Sequence, residues 1–167
     1  MKIKLFYAML MMNLWAGTCI AQPNNLQYQS KEVTKWGNAV EGVQLSVGLT
    51  NNVIVVGSTI TLSAQIKNLS TNSITVYVKN PRSDFGVYVT NKSGKVFKIS
   101  PEPDNSATYA IVFPISINAG ESHVWNIPVT VDKDIEPGNY ALKVTKRFGE
   151  NGNYFELVSN LLEVQIK

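Results

Sequence analysis

His123 is the single histidine of this 167-residue chain, and Ser122 stands directly before it. A serine nucleophile needs an imidazole base within hydrogen-bond reach. Consecutive residues of a strand point to opposite faces, so these two cannot serve each other. No Gly-x-Ser-x-Gly elbow marks a second serine. One imidazole cannot build a multi-histidine metal site, and His123 reads as a half-exposed strand residue. Asp132, Asp134 and Glu136 come at alternate positions before Pro137. In an extended chain they share one side, where their oxygens could hold Ca²⁺. The spacing lacks the glycine and the distal glutamate of an EF-hand loop, and a solvated acidic turn is the simpler expectation. Glu102 and Asp104 form a weaker pair with the same alternative, and no partner signal supports glycoside hydrolysis. The expectation is a protein that is not an enzyme and has no catalytic residues, metal or cofactor.

Recognition is the chemistry the residues favour more. Lys143 to Phe148 is the most basic stretch. It leads into Asn151-Gly152, the strongest short hairpin signal in the chain. Arg147, Phe148, Asn151, Tyr154 and Phe155 surround that turn and are the candidate binding residues. Interfaces favour tyrosine, phenylalanine and arginine. The competing reading makes Phe148 and Tyr154 a cross-strand pair that only holds the hairpin. One short patch on a near-neutral domain is a poor nucleic-acid footprint. Trp36 and Trp125 are expected in the core, Trp36 as a plug tethering the leader; an aromatic platform for sugars is the minority alternative.

The elements that position these residues are strands. Thr59 to Lys67 alternates strictly: Ile60, Leu62, Ala64 and Ile66 fall on one side, Thr61, Ser63 and Gln65 on the other. Similar runs occupy residues 43–49, 53–56, 74–78, 85–89, 95–99, 109–117, 123–129, 140–144, 154–158 and 162–166. Turn signals separate them, among them Asn91-Lys92-Ser93-Gly94, with Gly94 available for positive φ, and Pro137-Gly138, with Gly138 expected to take one. Pro114 and Pro128 argue that their strands lie at sheet edges. No stretch after residue 21 keeps helical periodicity over three turns. About eight to ten short strands of this kind bury their faces as two packed antiparallel sheets. Strands alternating in direction would gather the loops at 68–73, 91–94, 118–121 and 147–153 at one end.

Lys2 and Lys4, the apolar run from Leu5 to Trp15 and the end Thr18-Cys19-Ile20-Ala21 read as a signal peptide cut after Ala21. A retained anchor and a lipid on Cys19 are the alternatives, and Ala16-Gly17-Thr18 fits a lipidation site poorly. Export to the periplasm or the medium is therefore expected, with no transmembrane span after cleavage. Removing 21 of the 167 residues leaves 146, one domain's worth. Without Lys2 and Lys4, 13 of the 15 basic residues face 12 acidic ones. Nothing in that balance points to a polyanionic partner. The sole cysteine leaves with the signal, so the mature domain must rely on its apolar core. Residues 22–35 are polar and aperiodic and read as a flexible leader before a domain over 36–167.

The pieces Asn68-Leu69-Ser70, Asp84-Phe85-Gly86-Val87, Ser93-Gly94-Lys95-Val96-Phe97, Ala119-Gly120-Glu121-Ser122 and Pro137-Gly138-Asn139-Tyr140-Ala141-Leu142 give residues 59–146 a likeness. They resemble bacterial extracytoplasmic immunoglobulin-like domains, and in particular the BsuPI-type intracellular proteinase inhibitor family. Ser83 and Phe97 depart from that pattern, where an aromatic and a tryptophan are usual, and a signal peptide conflicts with an intracellular role. The resemblance implies an immunoglobulin-like sandwich and places the 147–153 loop at its last hairpin, a common recognition position. It also implies a tyrosine corner, with Tyr140 packed inward and its hydroxyl tying down the neighbouring loop. It makes a protease one candidate among unknown protein partners. Asn68-Leu69-Ser70 and Asn91-Lys92-Ser93 match the N-glycosylation rule, without meaning in the bacterial source the resemblance implies. The expected function is an exported protein-binding module; the alternative is a passive structural or assembly subunit of the cell envelope.

Overall fold

The computed structural model describes residues 35–78, 84–99, 113–150 and 153–167. The expected signal peptide, most of the expected leader, the Glu102–Asp104 pair and Asn151-Gly152 lie outside them. Among the described residues alternation becomes eleven strands, one more than the expected range once the two-residue β2 is counted. They are β1 (Val43–Leu49), β2 (Val53–Ile54), β3 (Thr59–Asn68), β4 (Ile74–Val78), β5 (Phe85–Asn91), β6 (Val96–Ile99), β7 (Phe113–Ile117), β8 (Ser122–Thr130), β9 (Gly138–Glu150), β10 (Asn153–Val158) and β11 (Leu162–Ile166).

One sheet runs β1-β3-β8 and the other β2-β11-β9-β5-β6, with β10 also on β9; β4 and β7 form a separate ribbon. All pairings are antiparallel except β2 with β11. The result is an all-β immunoglobulin-like sandwich. Leu45, Leu62, Ala64, Ile66, Val89, Ile127, Leu142, Val144 and Leu157 are among the fully buried residues between its layers. Pro128 sits in β8, which pairs only with β3, and Pro114 in β7, which pairs only with β4. A residue without an N–H to donate fits such edges.

At the start of β9 the Tyr140 ring is buried, edge-on to Phe97, and its hydroxyl donates to Glu136 O over 2.7 Å. This is the expected tyrosine corner. Gly138 keeps a negative φ, against expectation, because β9 and its pairing with Ile166 already begin there; Gly94 and Gly120 take the positive φ their turns require.

Two polar nodes fix the edges. Asn68 is fully buried: Nδ2 donates to Asn72 O and Ile117 O, and Oδ1 accepts from Ser70 N. A glycan cannot be attached to an amide so enclosed. Asn160, between β10 and β11, reaches the outer edge of β1, where Val47 N donates to Oδ1 over 2.8 Å and Nδ2 donates to Val47 O over 3.3 Å. Its neighbour Ser159 mends the break in the β9 ladder: Val144 N donates to Ser159 Oγ and Ser159 N to Val144 O, both at 2.9 Å.

The expected gathering of loops is corrected. The loops at 68–73 and 118–121 do meet, through Gly120 N to Asn68 O and Ser73 Oγ to Asn118 Oδ1. β5 runs antiparallel to β9, with Asn91 opposite Tyr140 and Phe85 opposite Lys146. The 91–94 turn therefore lies at the other end of β9 from Glu150. With β5 and β6 antiparallel, strict alternation up to β9 would make β5 and β9 parallel; their antiparallel pairing means that strand direction fails to alternate between β6 and β9.

Candidate functional site

β9 is long because its last residues outrun β5 and pair only with β10. A period of two divides that hairpin into two faces. On the inner face Phe148 stands directly opposite Phe155, ring centroids 5.2 Å apart, and both are half-buried against the core. On the outer face Arg147 and Tyr154 are exposed, the guanidinium carbon 4.1 Å from the ring centroid. Tyr154 lies opposite Gly149, which has no side chain to cover the ring, and Arg147 reaches it diagonally. Such a stack adds about 0.5–1 kcal/mol at an exposed site and restrains two long side chains. Of the five candidate residues, Arg147 and Tyr154 thus share an outward patch, Phe148 and Phe155 lie beneath it, and Asn151 lies outside the described residues. The expected alternative pairing of Phe148 with Tyr154 is corrected: the two occupy opposite faces.

Lys146 is the residue that composition misplaced. It belongs to the basic stretch, yet it is only 6% exposed. Its Nζ donates to Tyr77 O over 3.4 Å and lies 5.6 Å from the Phe85 ring centroid. Parity could have found it, because Lys146 is in step with Leu142, Val144 and Phe148 on the inner face. The hydrogen bond links the β4–β7 ribbon to the larger sheet, a structural use for a buried cation. Burial holds its pKa below the ordinary lysine value, and the Asp84 carboxylate offsets part of that. A lysine whose pKa is lower folded than unfolded makes the unfolded chain bind more protons between the two values. Stability therefore rises with pH through that window and levels off above about 10.4. Lys146→Met should remove this alkaline rise and leave stability at pH 7 unchanged to about 2 kcal/mol higher. Urea titrations from pH 7 to 10.5 check it; parallel curves for the two proteins would refute the assignment.

The other chemical residues disperse. Ser122 Oγ accepts from Gln65 Nε2 on the outer face, while His123 turns inward, its ring centroid 4.4 Å from that of Trp125. The nucleophile–base pair fails as strand geometry requires. Trp125 is in the core beside Phe85. Trp36 is not, which corrects that expectation: it is half-buried, with Lys67 Nζ 5.8 Å from its ring centroid. Asp132 to Glu136 forms a turn, closed by Ile135 N to Asp132 O, with Ile135 buried. The extended spacing behind the Ca²⁺ alternative is lost, and among the described residues no three acidic, histidine or cysteine side chains gather around a common point. Among the same residues no helix is long and apolar enough to cross a membrane.

No family model and no curated protein matches the chain. Among solved structures it is similar to the C-terminal domain of wzt, at 11% identity and a TM-score of 0.49, over 82% of this chain and 79% of that one. It is also similar to part of a β-glucosidase from Listeria innocua, at 14% identity and a TM-score of 0.43, over 74% of this chain. There it spans only 16% of the enzyme's length. A third likeness is to the alkylpurine DNA glycosylase AlkC of Pseudomonas fluorescens, at 18% identity and a TM-score of 0.42, over 77% of this chain and 31% of that one. Likenesses this distant assign no activity.

Proposed function

We propose that this chain is an exported, non-enzymatic module that binds a protein partner through the outer face of the β9–β10 hairpin. The observation that carries the reading is the Arg147–Tyr154 stack, an exposed cation and aromatic held together on a strand pair rather than on a loose loop. Tyrosine and arginine are the residues that dominate binding energy when they are anchored, and restraint before binding lowers the entropic cost of docking. Phe148 and Phe155 pair beneath the patch and support it from below. Proteases enter as candidate partners through the family resemblance.

The test immobilises the full chain and the Arg147→Ala/Tyr154→Ala double variant and passes a native envelope extract and a panel of purified serine proteases over both. Recovery of a single species by wild type, reduced about tenfold or more by the double variant, is the expected result. Equal recovery by both proteins, with the variant shown folded by near-UV circular dichroism, would remove the hairpin from the binding surface. No recovery by either would favour a passive structural subunit.

A further inference from the structure

Residues 35–40 form a strap on the outer edge of β1. Val40 and Val43 exchange both backbone hydrogen bonds across Glu41-Gly42, and both linking residues have positive φ, 50° and 73°. That is a two-residue turn of the I′ kind, which favours Asn, Asp or Gly at its first position. A glutamate occupies it here, in a region that penalises a β-carbon. Beyond the turn, Gly37 N donates to Leu45 O over 2.9 Å, Gln44 Nε2 to Gly37 O over 3.2 Å, and the Ser46 hydroxyl to Lys35 O. Trp36 rests beneath Lys67 on the neighbouring strand. Each contact joins the strap to the body of the domain, and none requires that the two belong to one chain. A short, strained hinge between an edge strand and its domain is the condition under which identical copies exchange that strand.

We propose that residues 35–40 exchange between two copies of this chain, each strap closing the β1 edge of the other in a symmetric dimer. In the exchanged form the strap and β1 run on as one strand, antiparallel to the same strand of the second copy, with the two-fold axis between Glu41 and Gly42. Glu41 leaves its left-handed conformation, and the bonds at Gln44, Leu45 and Ser46 re-form between chains. The inference is independent of what the β9–β10 hairpin binds.

Sedimentation equilibrium of the full chain tests it with two variants. Glu41→Gly relieves the strain of the closed form and should weaken dimerisation about tenfold or more, since two hinges are relieved per dimer. Deleting Glu41 and Gly42 abolishes the closed turn and should give a dimer at every concentration. In that deleted chain, with Cys19→Ser, the pair Val40→Cys and Val43→Cys should oxidise to a covalent dimer, because residues of such a bonded pair approach within disulfide range only between copies. A wild type that remains monomeric, or equal dimerisation of wild type and Glu41→Gly, would overturn the proposal whether or not the deleted chain folds. A dimer of the deleted chain that forms no interchain disulfide would overturn it too, by placing the contact elsewhere.

Discussion

Gly37→Ala is expected to destabilise the domain by about 3 kcal/mol, far more than one added methyl on a half-buried segment would suggest. A β-carbon built on Gly37 would lie 1.8 Å from Val158 O, 2.9 Å from Val158 C and 3.0 Å from Leu45 O. Carbon and oxygen atoms settle at about 3.3 Å or more, so more than an ångström must be found. All three obstructing atoms are backbone, and those of Val158 are held by the β10 pairing with Thr145 and by Ser159 N to Val144 O just beyond. The cheapest relief is for the strap to lift from β1. Its hydrogen bonds to Leu45, Gln44 and Ser46 then go, at about 1 kcal/mol each, and these set the ceiling of the effect. Gly37 does not have a positive φ, so the penalty is one of space alone. Gly94→Ala supplies the contrast. It has φ of 82° and no atom within 4 Å of the added carbon, so it should cost only the left-handed penalty of about 1 kcal/mol. Urea denaturation ranks the two, and red-shifted Trp36 emission in folded Gly37→Ala would report the lifted strap. A Gly37→Ala protein within 1 kcal/mol of wild type would refute this packing argument.

What could be read from the sequence, and what could not, divides along the range of the interactions. Alternation is local, and it located the strands, including the separation of β10 from β11. Pro114 and Pro128 located edges, because a missing N–H is a property of one residue. Tyr140 was legible because its hydroxyl reaches only four residues back. The misreadings concern partners distant in the chain. Composition groups Lys146 with Arg147, although parity assigns the two to opposite faces and the fold buries the lysine against Tyr77 and Phe85 from other strands. Hydrophobicity points Trp36 to the core, but it belongs to a strap whose position is set by β1. Alternating directions would set the 91–94 turn beside the end of β9, and the register of β5 on β9 puts it at the opposite end. Of the candidate site, the residue types were legible. Which of them face outward was available from parity and was decided by the pairing of Phe148 with Phe155.

Asn160→Ala should cost about 3–4 kcal/mol, although asparagine is a residue that surveys place at the surface. Asn160 stands where a further strand would otherwise pair with β1. Its amide accepts from Val47 N and donates to Val47 O, as a backbone peptide would, and the Ser46 hydroxyl lies 3.0 Å from the same Oδ1. Val47 and Ser46 are buried, and no buried side-chain polar atom among the described residues lacks a partner. Truncation to alanine would strand the Val47 N–H and C=O together, at about 1–3 kcal/mol for each group left unpaired. Asn160→Asp separates hydrogen bonding from shape. The introduced carboxylate still accepts from Val47 N, but its second oxygen faces Val47 O, and the donor is lost. Protonation restores a donor there, so the folded state raises that carboxyl's pKa and the variant loses stability as pH rises from the unfolded carboxylate pKa through the raised folded one. Denaturation at pH 4 and pH 7 should therefore show Asn160→Asp closer to wild type at the lower pH, while the deficit of Asn160→Ala stays the same at both. If both deficits were independent of pH, the amide would be filling space rather than completing the β1 edge.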